Sequence, residues 1–427
     1  MNSKPILAVT LFVSLTLLIS PVFGSSVMWS QIYGDGREMA KSVVESDDGG
    51  YVIAGDTGSF GAGNNDFWLV KVDSIGNMEW NKTFGGPRYD SLRAMIKTHD
   101  GGYALVGSTT SFGGGSEDFW IIKTDENGIT EWNQTYGGPG DQYATSLIET
   151  SDGGYAIGGS FDQSLDDPFG DTAFWLVKTN QFGEMQWNKT FSDSSLNSCS
   201  DLVETSDGGY LLVGNTGMYL VEANILAIKT DSDGEIEWTK RYGGRDHAGA
   251  NAIVKTLDGA YAIAGDRSQN FWLIKIDDSG DIVWDQIYVK SGVEEAYSLV
   301  QTSDGGFALA GVISGVIDNE NYIDSWMIKT DINGNLVWNQ TYGGIGDQYI
   351  YSLIETSDET FVLAGFSTFT YAGPGYLWLL KTDEYGYIPE FSSTTILVIF
   401  VFSTLMILFV GSNLKRRNKV KKRRIST

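Results

Sequence analysis

The 427-residue chain carries 53 Gly, 13 Trp and only 7 Pro, with an aromatic share of 13%, a balance that excludes disorder and fits aromatic and β-branched strands separated by Gly-rich turns. One cysteine, Cys199, and two histidines, His99 and His247, exclude a disulfide framework and argue against a zinc or haem site of the usual kind. The formal charge of −25 repels nucleic-acid phosphates, so no nucleic-acid partner is expected.

Residues 1–24 hold Lys4, an apolar run from Ile6 to Ile19, Pro21 and Gly24, with the small residue Ser25 following. The run is short for a membrane span and fits a secretory signal peptide, with an uncleaved anchor as the alternative.

From residue 25 to 388 one unit is written seven times. Its clearest letter is Trp at 29, 80, 132, 187, 238, 284 and 338, at intervals of 51, 52, 55, 51, 46 and 54 residues. The third copy shows the unit: a strand over Ser146–Thr150, a turn Ser151-Asp152-Gly153-Gly154, and a strand over Tyr155–Ser160. After a variable loop comes a strand over Phe174–Thr179, a turn Asn180-Gln181-Phe182-Gly183, and a strand carrying Trp187 and Phe191. Asp caps the amides of such turns and Gly takes their left-handed position. In the seventh copy, Glu359 and Thr360 replace the Gly-Gly that follows the turn Asp.

Four short strands per period of about fifty residues predict an all-β, seven-bladed propeller of four-stranded blades. The chain opens with a lone fourth-type strand at Trp29 and closes with a third-type strand at Trp378. The N-terminal strand is therefore expected to complete the last blade and remove the open edges.

Thr394 to Leu414 is a 21-residue stretch without a charge, long enough for a transmembrane helix. The basic tail 415–427, with Lys415, Arg416 and Arg417 at its start, places the C-terminus in the cytoplasm and the propeller outside the cell membrane. Between them, residues 389–393 include Pro389-Glu390-Phe391. A Pro-Glu-Phe motif, an apolar span and a basic tail resemble the PEF-type sorting signals of archaeal surface proteins. The resemblance implies an archaeosortase as processing partner and removal of the helix.

Asp125-Glu126-Asn127-Gly128 running to Trp132 is similar to the tryptophan-docking motif of quinoprotein-type propellers. It is one residue shorter between Asp and Gly and lacks the Ala before Asp. The likeness supports the fold and leaves the chemistry open.

Residues repeated in every blade are scaffold, since a catalytic site is single. Lys71, Lys123, Lys178, Lys229, Lys275, Lys329 and Lys381 read as structural rungs. Length varies only in the loops before the third strand and between blades, which share one face, and binding usually lives in such loops. Asp66, Asp118, Asp141, Asp324, Asp347, Phe60 and Phe112 are the candidate ligand contacts there, suited to a glycan, a cation or a basic protein partner. Their alternative role is loop capping. Asn81, Asn133, Asn188 and Asn339 each begin an Asn-x-Thr sequon and are candidate glycosylation sites.

Asp231-Ser232-Asp233-Gly234 resembles part of a calcium loop but lacks its downstream Glu. No phosphate loop or nucleophile elbow is present, and no catalytic residue, metal or other cofactor is expected, with calcium kept as the alternative. The reading is a surface-anchored binding or adhesion propeller, not an enzyme. Its rivals are an extracellular carbohydrate-active hydrolase or lyase using paired acids, and a quinoprotein-like cofactor binder.

Overall fold

The computed structural model describes residues 28–388 except 115, 163–171, 193–195, 219–220, 245–246, 318–319, 345 and 369–372. The expected leader (1–24), the 389–393 linker, the 394–414 span and the 415–427 tail lie outside the described residues. No helix among the described residues is long and apolar enough to cross a membrane.

Seven antiparallel four-stranded sheets form seven blades. The first blade runs Glu38–Glu45, Tyr51–Thr57, Asp66–Val72 and Met78–Phe84 from inside to outside. Each blade's first strand contacts the first strand of the next, and the ring closes where Gln348–Glu355 meets Glu38–Glu45. The seventh blade takes Trp29–Tyr33 as its outer strand, pairing Ile32 with Trp378 and Trp29 with Lys381. The closing strand is thus the one expected from sequence, and every blade has the same four-strand order.

Second and third strands are packed on both faces, so Tyr51–Thr57 and Asp66–Val72 are buried along their whole length. The core is a set of clusters, each shared by two neighbouring blades: Val52, Phe67 and Leu69 of the first blade meet Leu92, Tyr103 and Trp120 of the second. Inner strands start earlier than the sequence suggested; that of the third blade spans Gln142–Glu149. A bulge between Ala144 and Ser146 lets pairing continue to Gln142 opposite Phe161.

The bulge explains a glycine in every second strand. A Cβ on Gly55 would lie 1.9 Å from the Met39 carbonyl oxygen, and Gly107, Gly159, Gly214, Gly265, Gly311 and Gly365 face the same collision at 1.7–2.2 Å. Only Gly lets the bulged inner strand approach so closely.

The lysine rungs are structural as read. Each Nζ pairs with the Asp of its own blade's first turn, from Lys71–Asp48 at 2.9 Å to Lys381–Asp358 at 2.8 Å. In the divergent seventh turn, Glu359 adopts the left-handed φ of 62°, and the Thr360 hydroxyl bonds Asp358 Oδ1 at 2.7 Å.

Candidate functional site

The loops of variable length do share a face. Four of the segments leading into third strands bridge to the loop entering the next blade, among them Asn65 to Tyr89 and Glu117 to Asp141. The hairpin turns, with their capping aspartates, occupy the opposite face. The described chain ends on that hairpin face, at Ile388, just after the Asp383–Gly386 turn.

The candidate residues separate into two groups. Asp66 is fully buried and its Oδ2 accepts from the backbone N–H of Ala62 at 2.7 Å and Gly63 at 3.1 Å. Asp118 is equally buried and accepts from Gly114 N at 2.9 Å. Burial raises the Asp324 carboxyl above its usual range, against the opposing N–H of Gly344. These three hold loops together. Phe60 and Phe112 are half-exposed and lie on the indoles of Trp68 and Trp120, with centroids 5.5 and 5.1 Å apart. Those indoles bond Asn81 and Asn133 on the outer strands, so both phenylalanines sit away from the axis.

Asp141 and Asp347 are different. Each lies two residues before a tyrosine of an inner strand, Tyr143 or Tyr349, and Tyr143 donates to Asp141 Oδ2 at 3.3 Å. Successive inner-strand residues alternate between the core and the axis. Ala40, Leu92, Ala144, Cys199, Ala250, Ala296 and Ile350 are buried, so their neighbours line the channel.

At the bulge those neighbours are Lys41, Arg93, Thr145, Ser200, Asn251, Tyr297 and Tyr351. The Lys41 ammonium stands over the Tyr351 ring at 4.0 Å. Tyr351 packs on Tyr297 at 5.4 Å and stacks with Tyr349 at 5.9 Å. Tyr349 stacks in turn on Phe366 at 4.8 Å. The sixth and seventh blades therefore build an aromatic wall that the other blades lack. Asn251 donates to Glu295 Oε1 at 3.2 Å and Tyr297 to Glu295 Oε2 at 3.0 Å.

Electrostatics mark the same place. Burial lowers Lys41 to about 8, with nearby Asp56 opposing and Arg93 adding to the effect. Asp56 is raised by burial, opposed by the Leu92 N–H that it accepts at 2.7 Å and by Lys41 and Arg93. Asp266 is pushed up to about 6 by burial, with His247 opposing and Glu295 adding; His247 Nδ1 is 3.1 Å from its Oδ2. Burial and the Asp141 charge raise Glu117.

The channel residues escaped sequence reasoning, although a signal existed. Aligned on the first-turn Asp, they form one column seven positions upstream, from Lys41 before Asp48 to Tyr351 before Asp358. That column varies inside an otherwise repeated strand.

The sequon asparagines are exposed, and each carbonyl accepts an indole N–H from the neighbouring strand: Trp68 to Asn81 and Trp120 to Asn133 at 3.2 Å, Trp175 to Asn188 at 3.1 Å, Trp326 to Asn339 at 3.2 Å. Asp285 accepts from Trp272 in the fifth blade, which gives this position a structural role independent of glycans. The Asp231 carboxylate caps the N–H groups of Asp233 and Glu235. Among the described residues no group of three His, Cys, Asp or Glu is arranged to hold a metal.

No family model and no curated protein matches the chain in sequence. Solved structures match its fold. A catalytically inactive virginiamycin B lyase from Staphylococcus aureus with quinupristin is 12% identical, with a TM-score of 0.55, over 83% of this chain and 99% of that one. Puromycin hydrolase is 13% identical, with a TM-score of 0.53, over 83% of this chain and 54% of that one. At this identity the likeness establishes the seven-bladed propeller and carries no activity across.

Proposed function

We propose that the protein is a surface-anchored binding module that takes a glycan at the loop-face mouth of its central channel. The observation that carries this reading is the wall of Tyr297, Tyr349, Tyr351 and Phe366, a non-repeated aromatic surface on a sevenfold scaffold. Aromatic faces suit the apolar faces of sugar rings, and Asn251, Glu295 and Asp347 supply polar groups beside them. The 394–414 span, the basic tail and the Pro-Glu-Phe segment support an external, membrane-held protein. The described chain ends on the hairpin face, opposite the mouth.

A glycan array probed with the detergent-solubilised full chain tests the reading. Bound glycans should be lost when Tyr349 and Tyr351 are both replaced by Ala. Binding that survives the double replacement excludes the channel mouth.

A second reading, a hydrolase or lyase, is favoured by one observation: the Asp266 carboxyl, raised by burial and 3.1 Å from His247 Nδ1, suits acid–base work. Incubation with the glycans that bind, followed by reducing-end and unsaturated-product assays, decides it. Turnover that disappears in Asp266→Asn supports an enzyme; intact glycans exclude one.

A further inference from the structure

The channel mouth brings two cations together on neighbouring inner strands. The span between leader and tail holds 20 Lys and Arg against 54 Asp and Glu, so carboxylates are in large excess. All seven third-strand lysines are paired with turn aspartates. Among the described residues, Lys41 and Arg93 make no ion pair within 4.0 Å, yet they belong to adjacent inner strands and repel one another.

The acids around them are already engaged. Asp56 accepts from Leu92 N and Ser91 Oγ, and Glu295 accepts from Asn251 and Tyr297. Arg93 also lies within electrostatic reach of Tyr351 and Glu117. Two neighbouring cations without a salt bridge, one seated on an aromatic ring, oppose the folding preference for separated or paired charge. An anion between them would relieve that repulsion through charge-assisted hydrogen bonds.

We propose that the glycan is anionic, its acidic oxygen atoms held by Lys41 and Arg93 while a sugar face rests on Tyr351. This rests on the channel mouth being the binding site. The acidic exterior repels polyanions at long range, so any affinity for them originates locally.

Calorimetric titration of the solubilised full chain with an oligogalacturonate, its methyl ester and a sulfated dextran oligomer tests this. The acid should bind at least about tenfold tighter than the ester, the scale of one charged hydrogen bond. Lys41→Gln and Arg93→Gln should each bring the acid down to the affinity of the ester on the parent protein. Tighter binding of the sulfated oligomer, abolished by the same replacements, assigns sulfate as the anion. Equal binding of acid and ester, lost in Tyr351→Ala, overturns the anion and keeps the mouth as a glycan site. Binding of none of the three overturns both.

Discussion

Trp29 packs on Gly76: a Cβ on that glycine would come 3.0 Å from the indole, whose Nε1 donates to Ser74 O at 3.0 Å. Trp29 is on the outer strand of the seventh blade and Gly76 in the last turn of the first. The same contact joins Trp80 to Gly128, and so on round to Trp338 and Gly386. The closing joint is thus built like every other joint.

Removing that joint should destabilise the whole ring. Deletion of residues 25–35 leaves Gly375–Thr382 as an open edge, and Trp29, 8% exposed, is a large core residue whose replacement by Ala costs ~3–5 kcal/mol. Urea unfolding should show a single transition at lower midpoint for both variants. An unchanged midpoint in the deletion variant would mean that the strand contributes nothing to closure.

A matched pair of glycines isolates the docking contact. Gly49 and Gly76 share a left-handed φ, 79° and 84°, but a Cβ on Gly49 meets nothing within 4 Å. Both Ala variants carry the conformational cost of about 1 kcal/mol. Gly76→Ala should lose clearly more, because it also displaces Trp29. Equal losses would show that the turn conformation alone selects glycine.

The parts legible in sequence are those that local geometry forces seven times over. Asp48, Gly76, Trp80 and Lys71 recur because a turn, a docking surface or a rung needs each of them in every blade. Ring closure was legible from the strand types at the two ends. The mouth was not, because Lys41, Arg93, Tyr297 and Tyr351 meet only through the closed circle, from opposite ends of the sequence. Asp66 and Asp141 looked equivalent as loop acids. One begins a buried third strand and folds onto its loop; the other precedes an inner strand and follows it to the axis.

Acid should weaken the hairpin face first. The hydrogen bond from Lys229 is the main cause that lowers Asp207 to about 2, and that from Lys275 does the same for Asp258. With folded values below the unfolded ~3.9, their stabilisation is complete above pH 4 and fades as pH falls toward 2. These carboxylates are about half exposed, so each contributes only a few tenths of a kcal/mol. Melting temperature should fall between pH 4 and 2, and the Asp207→Asn Asp258→Asn variant should show a shallower fall.

Asp66 distinguishes a charge from a cap. Burial raises its carboxyl, with the N–H groups of Gly63 and Ala62 opposing, and its Oδ1 has no hydrogen-bond partner among the described residues. Asp66→Asn keeps an oxygen for both N–H groups and removes a buried charge, so denaturant stability should change by less than about 1 kcal/mol. Asp66→Ala loses both bonds and should cost about 1–2 kcal/mol. A larger loss in Asn than in Ala would show that the charge itself holds the loop.

Lys41 should be a liability for folding. Its ammonium, lowered from 10.5 to about 8 by burial, with Asp56 opposing and Arg93 adding, is less favourable in the folded chain than in the unfolded one. For a base with a depressed folded value, the penalty is present below pH 8 and is relieved as pH rises from 8 towards 10.5. At pH 7 it reaches up to about 3 kcal/mol, at 1.36 kcal/mol per pKa unit. Lys41→Met keeps the apolar stem over Tyr351 and removes the charge, so its melting temperature at pH 7 should exceed that of the parent. The advantage should shrink towards pH 10, a range in which Tyr297 and Tyr351, raised mainly by burial, remain neutral. Such a loss of stability is the cost that the proposed anion site would impose on the unliganded fold. If Lys41→Met is instead less stable at pH 7, the ammonium is held by the protein itself and has no vacancy for an anionic ligand.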